Sequence, residues 1–105
     1  MLYKLNMYCM IEIRKTENFS TWFEGLKDRQ ARARIQMRID RAELGNFGDV
    51  EPVGEGVSEM RIHYGPGYRV YFVRHGAVLA IFLGGGDKST QTRDISLALE
   101  LARQL

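Results

Sequence analysis

The chain has 105 residues, of which 45% are hydrophobic and 27% are charged, so it has room for one soluble globular domain with one modest core. Its net charge of +2 excludes the overall cationic field that would by itself indicate a nucleic-acid binder. The single cysteine, Cys9, excludes an internal disulfide, and no Cys and His spacing fits a zinc site. We therefore expect no metal ion, no cofactor and a cytoplasmic location.

The first nine residues are predicted to be an extension of the fold. The opening MLYKLNMYCM is a poor secretory signal, because Lys4 and Asn6 interrupt it and no long apolar core follows. No run elsewhere approaches the roughly 20 apolar residues that span a bilayer, so we expect no contact with a membrane. We assign residues 1–9 to an N-terminal extension and residues 10–105 to a single domain.

Residues 10–44 predict a short strand followed by two helices. Apolar and charged side chains alternate over residues 10–14, as they do in a strand. Thr16 is a typical helix N-cap, and the apolar face of the first helix follows it: Phe19, Trp22, Phe23 and Leu26. Gly45 ends the second helix, residues 28–44. The apolar stripe of this second helix consists of Ala31, Ile35, Ile39 and Ala42.

Residues 47–104 predict four strands and a final helix. The strands are expected at residues 47–53, 57–64, 68–74 and 78–83, and the helix at residues 90–104. The last strand, VLAIFL, is almost continuously apolar, which favours a place inside the sheet, and the GGG that follows is expected to end it. The order β-α-α-β-β-β-β-α predicts an α+β fold, an antiparallel sheet packed by an N-terminal α-hairpin and a C-terminal helix. The direction of the first strand stays open.

The segment EMRIHYGPGYR, residues 59–69, is predicted to be a hairpin that carries the candidate site. A three-residue GPG loop would place His63 opposite Arg69 and Arg61 opposite Tyr71. A two-residue GP turn would bury arginine, so burial selects the three-residue loop. All four of these side chains then share one outward, polar face. The core-facing residues of the hairpin are Met60, Ile62, Val70 and Phe72.

This polar face has the residue types for metal-free RNA cleavage. In that reaction the 2′-OH attacks the adjacent phosphorus, which requires a base, cations for the developing charge and an acid for the 5′-oxygen. His63 could take either proton role, while Arg61 and Arg69 could hold phosphate oxygens. Lys88 could add a third cation. An outward Arg69 would contribute little to the core, so its replacement is expected to spare folding. Further RNA-binding candidates are Tyr64, Tyr68 and Tyr71, by stacking, and Arg93.

Plainer interpretations stay open for each feature. An outward arginine pair on a strand is more often a solvated face, and a lone histidine on a sheet is more often structural. The run GGGDKS lacks the GxxxxGK[ST] spacing, so we do not expect a phosphate-binding loop there. The arginine-rich second helix is either a solvated face or a surface for an acidic partner.

Several strings of the sequence resemble one toxin family. They are IEIRKTENFSTWFEGLKDRQARARI, GNFGDVEPVGEGVSEMRI, VSEMRIHYGPGYRVYFV and GGGDKSTQTRDI. These strings are similar to the HigB-like "addiction module killer" branch of the RelE/ParE toxin superfamily, over nearly the whole chain. The resemblance implies a RelE-like fold and a toxin of a type II toxin-antitoxin system. It also implies a HigA-like helix-turn-helix antitoxin as partner, with operator DNA bound only through the antitoxin complex.

RelE-like members of the superfamily cleave mRNA in the ribosomal A site. The resemblance therefore implies a ribosome-dependent mRNA endonuclease, or mRNA interferase, that inhibits translation. The basic residues that correspond to the catalytic set of these toxins are Arg61, His63, Arg69 and Lys88. Many of these toxins also have a catalytic tyrosine in the C-terminal helix, where this chain has Ile95. The proton transfers would then fall to His63 or Lys88.

Two other functions remain possible on the same resemblance. ParE-like members of the superfamily poison DNA gyrase, so the alternative is a gyrase inhibitor without nuclease activity. An inactive member could also act only as a regulator through its antitoxin complex. The combination of Arg61, His63 and Arg69 favours the nuclease, because ParE-like toxins do not need it.

Overall fold

Five strands and three helices follow one another in the predicted order in the computed structural model, which describes residues 10–105. The predicted extension, residues 1–9, lies outside the described residues. The elements are β1 (Glu12–Lys15), α1 (Glu17–Glu24), α2 (Arg29–Glu43), β2 (Val50–Gly54), β3 (Val57–Ile62), β4 (Tyr68–His75), β5 (Leu79–Gly86), a 3-10 turn (Lys88–Thr90) and α3 (Gln91–Arg103).

The strands form one sheet in the order β1-β5-β4-β3-β2. Neighbouring strands are antiparallel except β1, which pairs in parallel with β5. The open question of the first strand's direction is thereby answered, and the α+β class is confirmed. β5 lies between β1 and β4, as its continuously apolar sequence predicted.

Both predicted helix starts of the N-terminal half are confirmed. Thr16 Oγ1 accepts a hydrogen bond from the Phe19 amide at 3.1 Å and caps α1. Asp28 Oδ1 accepts the Gln30 amide at 2.9 Å and caps α2 in the same way. The predicted stripe of α2 is buried because it faces the sheet: Ala31, Ile35, Ile39 and Ala42.

Helices cover both faces of the sheet. Phe19 of α1 and Ile35 of α2 pack in one apolar cluster with sheet residues that include Met60 and Phe82. On the other face, Ala98 of α3 packs in a second cluster with Val57, Tyr71 and Leu83. The face that the sequence predicted to be polar and outward is therefore covered by α3 along much of its length.

The three glycines after the apolar run of β5 extend the strand to Gly86, so the prediction that they end it was wrong. They are needed because both layers of helix approach the backbone here. A Cβ on Gly85 would overlap the Trp22 ring of α1, and a Cβ on Gly86 would overlap the Asp94 carboxylate of α3. The glycines thus let α1 and α3 pack against the end of one strand.

The β3–β4 hairpin is shifted by two residues from its predicted register. Arg61 pairs with Arg69 and Ile62 with Tyr68, so residues 63–67 form a five-residue loop instead of a three-residue one. Beyond Ile62 the loop forms its own turn, in which the Gly67 amide donates to the Tyr64 carbonyl at 3.1 Å, and the Tyr64 hydroxyl donates to Asp28 Oδ2 at 3.0 Å. A shift of two residues keeps every side chain on its predicted face.

Candidate functional site

The Asp49 carboxylate joins two of the predicted site residues. Its Oδ1 accepts a hydrogen bond from Arg61 Nη2 at 2.8 Å, and its Oδ2 lies 2.6 Å from His63 Nε2. The hydrogen bond from the Arg61 guanidinium, with that from His63, lowers the pKa of Asp49 to about 2. The carboxylate is therefore ionised at neutral pH. Asp49 thus links the side chains of Arg61 and His63, which lie two positions apart at the end of β3.

This carboxylate decides which nitrogen of His63 is available. An ionised carboxylate can only accept hydrogen bonds, so the imidazole must carry its proton on Nε2 to bond Asp49. In the neutral ring Nδ1 is then unprotonated. The His63 side chain is 76% exposed, so Nδ1 is open to a ligand.

Arg38 of α2 binds the backbone of the two segments that carry Asp49 and Arg61. Its Nη1 donates to the Arg61 carbonyl at 2.5 Å and its Nη2 to the Phe47 carbonyl at 3.0 Å. Burial lowers the pKa of the Arg38 guanidinium. Gly48 has φ +70°, which favours glycine, and a Cβ there would lie 2.8 Å from Arg38 Nη2 and displace the guanidinium. The segment before β2 is thus held against the end of β3, where Asp49 meets its partners.

Sequence reasoning missed both Asp49 and Arg38. A signal for Asp49 was present, because Gly54-Glu55-Gly56 predicts a turn between β2 and β3. In that antiparallel pair Val50 lies opposite Met60, which brings Asp49 to Arg61. Arg38 had no comparable signal, since its partners are backbone carbonyls of distant segments.

Arg69 is less exposed than the sequence predicted. Its side chain is only 14% exposed, and its Nε lies 3.6 Å from Oε1 of the buried Glu59. The same Glu59 oxygen accepts a hydrogen bond from the side-chain amide of Gln91, Nε2, at 2.8 Å. Arg69 Nη1 donates to the Gly67 carbonyl at 2.6 Å. The expectation that Arg69 is a free outward cation is therefore wrong, because α3 covers this part of the face and makes the arginine the counter-ion of a buried acid.

Lys88 lies beside the hairpin loop. Its backbone amide donates to the Pro66 carbonyl at 3.4 Å, and its side chain is exposed. A Cβ on Gly67 would lie 3.0 Å from Arg69 Nη1 and 3.7 Å from the Lys88 Cβ. Arg69 and Lys88 therefore flank one end of the loop, while His63 stands at its other end.

The tyrosines predicted to stack on RNA differ in their access. Tyr71 is wholly buried under α3, where burial and the neighbouring Glu59 raise its pKa, so its predicted role in stacking is wrong. Tyr68 is half-buried, with its ring centroid 6.4 Å from that of Trp22. One face of the half-buried Tyr64 is taken by the Arg34 guanidinium, 4.6 Å from the ring centroid.

Arg93 is exposed on the first turn of α3, with its Nε 3.8 Å from Asp94 Oδ1. It makes no contact with the Asp49 cluster. Within residues 10–105 no three His, Cys, Asp or Glu side chains are grouped so that they could share a metal ion. Over the same range no helix combines the length and the apolar character needed to cross a membrane.

Comparison with known proteins gives one close relative. No protein-family model matches the chain. A protein of Haemophilus influenzae, described only as uncharacterized, is 48% identical over 95 residues, which cover 90% of this chain and 96% of the relative. Identity at this level over nearly the full length of both chains shows common descent and a common fold. The chain therefore belongs to the same protein family as this Haemophilus influenzae protein.

Proposed function

We propose that this protein is the toxin of a type II toxin-antitoxin system, a HigB-like member of the RelE/ParE superfamily with a RelE-like fold. Its activity would be ribosome-dependent cleavage of mRNA in the cytoplasm. The observation that carries the proposal is the Asp49–His63 pair beside Arg61, an exposed imidazole with a defined proton position next to a guanidinium. They supply two of the groups that cleavage through the RNA 2′-OH requires, a base and a cation.

In the proposed reaction, the 2′-oxygen forms a bond to phosphorus while the bond from phosphorus to the 5′-oxygen breaks. His63 Nδ1 takes the proton from the 2′-OH as general base, and Asp49 stabilises the imidazolium that results. The guanidinium of Arg61, beside His63, would stabilise the developing phosphorane charge, and the exposed ammonium of Lys88, across the hairpin loop, would give a proton to the departing 5′-oxygen. The products are a 2′,3′-cyclic phosphate and a 5′-hydroxyl. No C-terminal tyrosine is needed in this scheme.

The ribosome would supply what the isolated site lacks. It can hold the mRNA with the 2′-oxygen in line with the breaking bond, which lowers the entropic part of the barrier. The proposed protein partner is a HigA-like helix-turn-helix antitoxin that binds the toxin directly. Operator DNA would be contacted only through that complex.

The proposal is tested by inducing the protein in cells and mapping mRNA 5′ ends and plasmid supercoiling together. We expect codon-phased cleavage with normal supercoiling. Intact mRNA with altered supercoiling would instead identify a gyrase inhibitor, and no change in either would identify a purely regulatory protein.

A matched pair of histidine variants ties the result to the site. His63→Gln keeps a polar side chain but cannot transfer a proton, so we expect a loss of about 10²–10⁴ in cleavage rate. His75 is the control, because it is the chain's other histidine and ends β4 far from the hairpin loop. His75→Gln should cleave like the wild type. Equal losses in both variants would contradict the assignment of His63.

A further inference from the structure

A groove of a single charge sign adjoins His63. It is an open depression of about 430 Å³ between α2 and the end of β3. Its charged walls are Arg34, Arg38 and Arg41, its apolar walls include Met37 and Ile62, and His63 stands at its border. No carboxylate lines it.

The positive charge of the groove is not neutralised by ion pairs. In the described part of the chain, none of the three groove arginines forms a salt bridge. Arg38 bonds only to backbone carbonyls, and the nearby Asp49 is already shared between Arg61 and His63. Arg34 is held in place by its contact with the Tyr64 ring. A cleft lined by cations without ion-pair partners attracts an anionic ligand.

We propose that this groove binds the ribose-phosphate backbone of single-stranded RNA next to the phosphate that is cleaved. The inference rests on the proposed function, and it places the RNA nucleotides that adjoin the cleaved phosphate in this groove. Arg34 and Arg41 are seven residues apart on α2, which separates them by about 10 Å along the helix axis. One phosphate cannot reach both, so an extended polyanion fits better than a single ion. The exposed Met37 offers apolar surface to the sugars and bases between the phosphates.

An acidic peptide would meet the same charges, and the position of the groove decides between the two ligands. It borders the exposed imidazole of His63, the proposed general base, so an RNA chain in the groove extends from a group proposed to cleave it. A peptide would gain nothing from an open Nδ1 at the end of its site.

The test compares Arg34→Gln/Arg41→Gln with the charge-matched control Lys27→Gln/Arg29→Gln, which removes two exposed cations near the start of α2 but outside the groove. Binding of a fluorescent single-stranded RNA to the free protein is measured as a function of salt. The groove variant should bind at least about tenfold more weakly. The slope of log affinity against log salt should become shallower by about 1.4, because each lost phosphate contact on a single strand contributes about 0.7. The control should keep the wild-type slope.

Cleavage on mRNA-programmed ribosomes gives the second readout. The groove variant should show a raised KM and an unchanged kcat, with a thermal melt equal to that of the wild type. The inference is overturned if the control weakens RNA binding as much as the groove variant does. It is also overturned if the groove variant binds and cleaves RNA normally but loses affinity for its antitoxin, which would identify a protein-docking surface. Groove-dependent RNA binding without any cleavage by the wild type would defeat the proposed nuclease while supporting the groove.

Discussion

At the scale of single residues, the proposed activity depends on how Asp49 orients His63. Asp49→Asn keeps the size of the side chain but removes the charge that fixes the proton on Nε2. We expect cleavage on programmed ribosomes to fall by about 10- to 100-fold, the scale known for carboxylates that orient metal-bound histidines. In a His63→Ala background the same Asp49→Asn change should cause no further loss, because the imidazole it acts on is gone.

Glu51→Gln is the matched control for this cycle. Glu51 lies 3.4 Å from Arg61 Nη2, as a second carboxylate on that arginine, but makes no contact with His63. We expect its cleavage rate to equal that of the wild type. If the double variant instead loses activity by the product of the two single-variant factors, Asp49 acts through Arg61 or through the end of β3, and not through His63.

Arg69 combines a candidate role in the site with a structural one. Arg69→Ala would leave the buried carboxylate of Glu59 without its counter-ion, so we expect the free energy of unfolding to fall by about 3–5 kcal/mol in a urea titration. Adding Glu59→Gln should recover part of that loss, since no buried charge then remains. The exposed Arg93→Ala should stay within about 0.5 kcal/mol of the wild type. If Arg69→Ala is as stable as the wild type, the pair with Glu59 is not structural.

At the scale of elements, the junction of β5 with α1 depends on the absence of side chains. Gly85→Ala would place a methyl group in the space of the Trp22 ring and displace α1. We expect a loss of about 1–3 kcal/mol in the free energy of unfolding, the usual cost of overpacking. Trp22 is the chain's one tryptophan, so its fluorescence should shift in the folded variant.

Gly25→Ala serves as the control for that change. Gly25 has φ −81° at the exposed end of α1, and its Cβ would come only within 3.2 Å of the Thr21 carbonyl. We expect a change smaller than about 1 kcal/mol and no shift in fluorescence. Equal effects at both glycines would mean that the contact with Trp22 is not what requires Gly85.

The same scale shows where prediction from sequence succeeds. The Thr16 N-cap, the start of α2 and its apolar stripe could be predicted, because they depend on residues within a few positions of one another. The five-residue hairpin loop could not, because its contacts include one between Tyr64 and Asp28, which lies 36 residues earlier. Likewise, the sequence of β5 does not indicate which helices pack against the backbone of its three glycines.

At the scale of the whole molecule, several carboxylates have pKa values lowered by the fold. In each case the main cause is a hydrogen bond to the carboxylate. The donors are Arg61 for Asp49, Arg103 for Glu55, Ser89 for Asp87 and the Ala31 backbone amide for Asp28. A carboxylate with a lowered pKa in the folded state stabilises the fold above its unfolded pKa of about 4. This contribution is lost as pH falls through the folded pKa, which for Asp49 is about 2.

We therefore expect stability to be flat from pH 7 to about 5 and to fall between about pH 4 and pH 2. Urea titrations at a series of pH values measure this, and Asp49→Asn should show a shallower acid slope. A slope equal to that of the wild type would mean that Asp49 is not paired with Arg61 and His63 in solution.

The sequence by itself determined the α+β class, the order of the elements and the facing of each hairpin residue. These follow from local periodicity, capping and the period of two in strands, which need no distant partner. It also made His63 and Arg61 candidates for the site. Only the tertiary structure decided that Asp49 joins them, that Arg69 neutralises Glu59 and that Tyr71 is buried. The physical reason is that α3 and the segment before β2 return to the hairpin from far along the chain, and such approaches depend on how layers pack rather than on neighbouring residues.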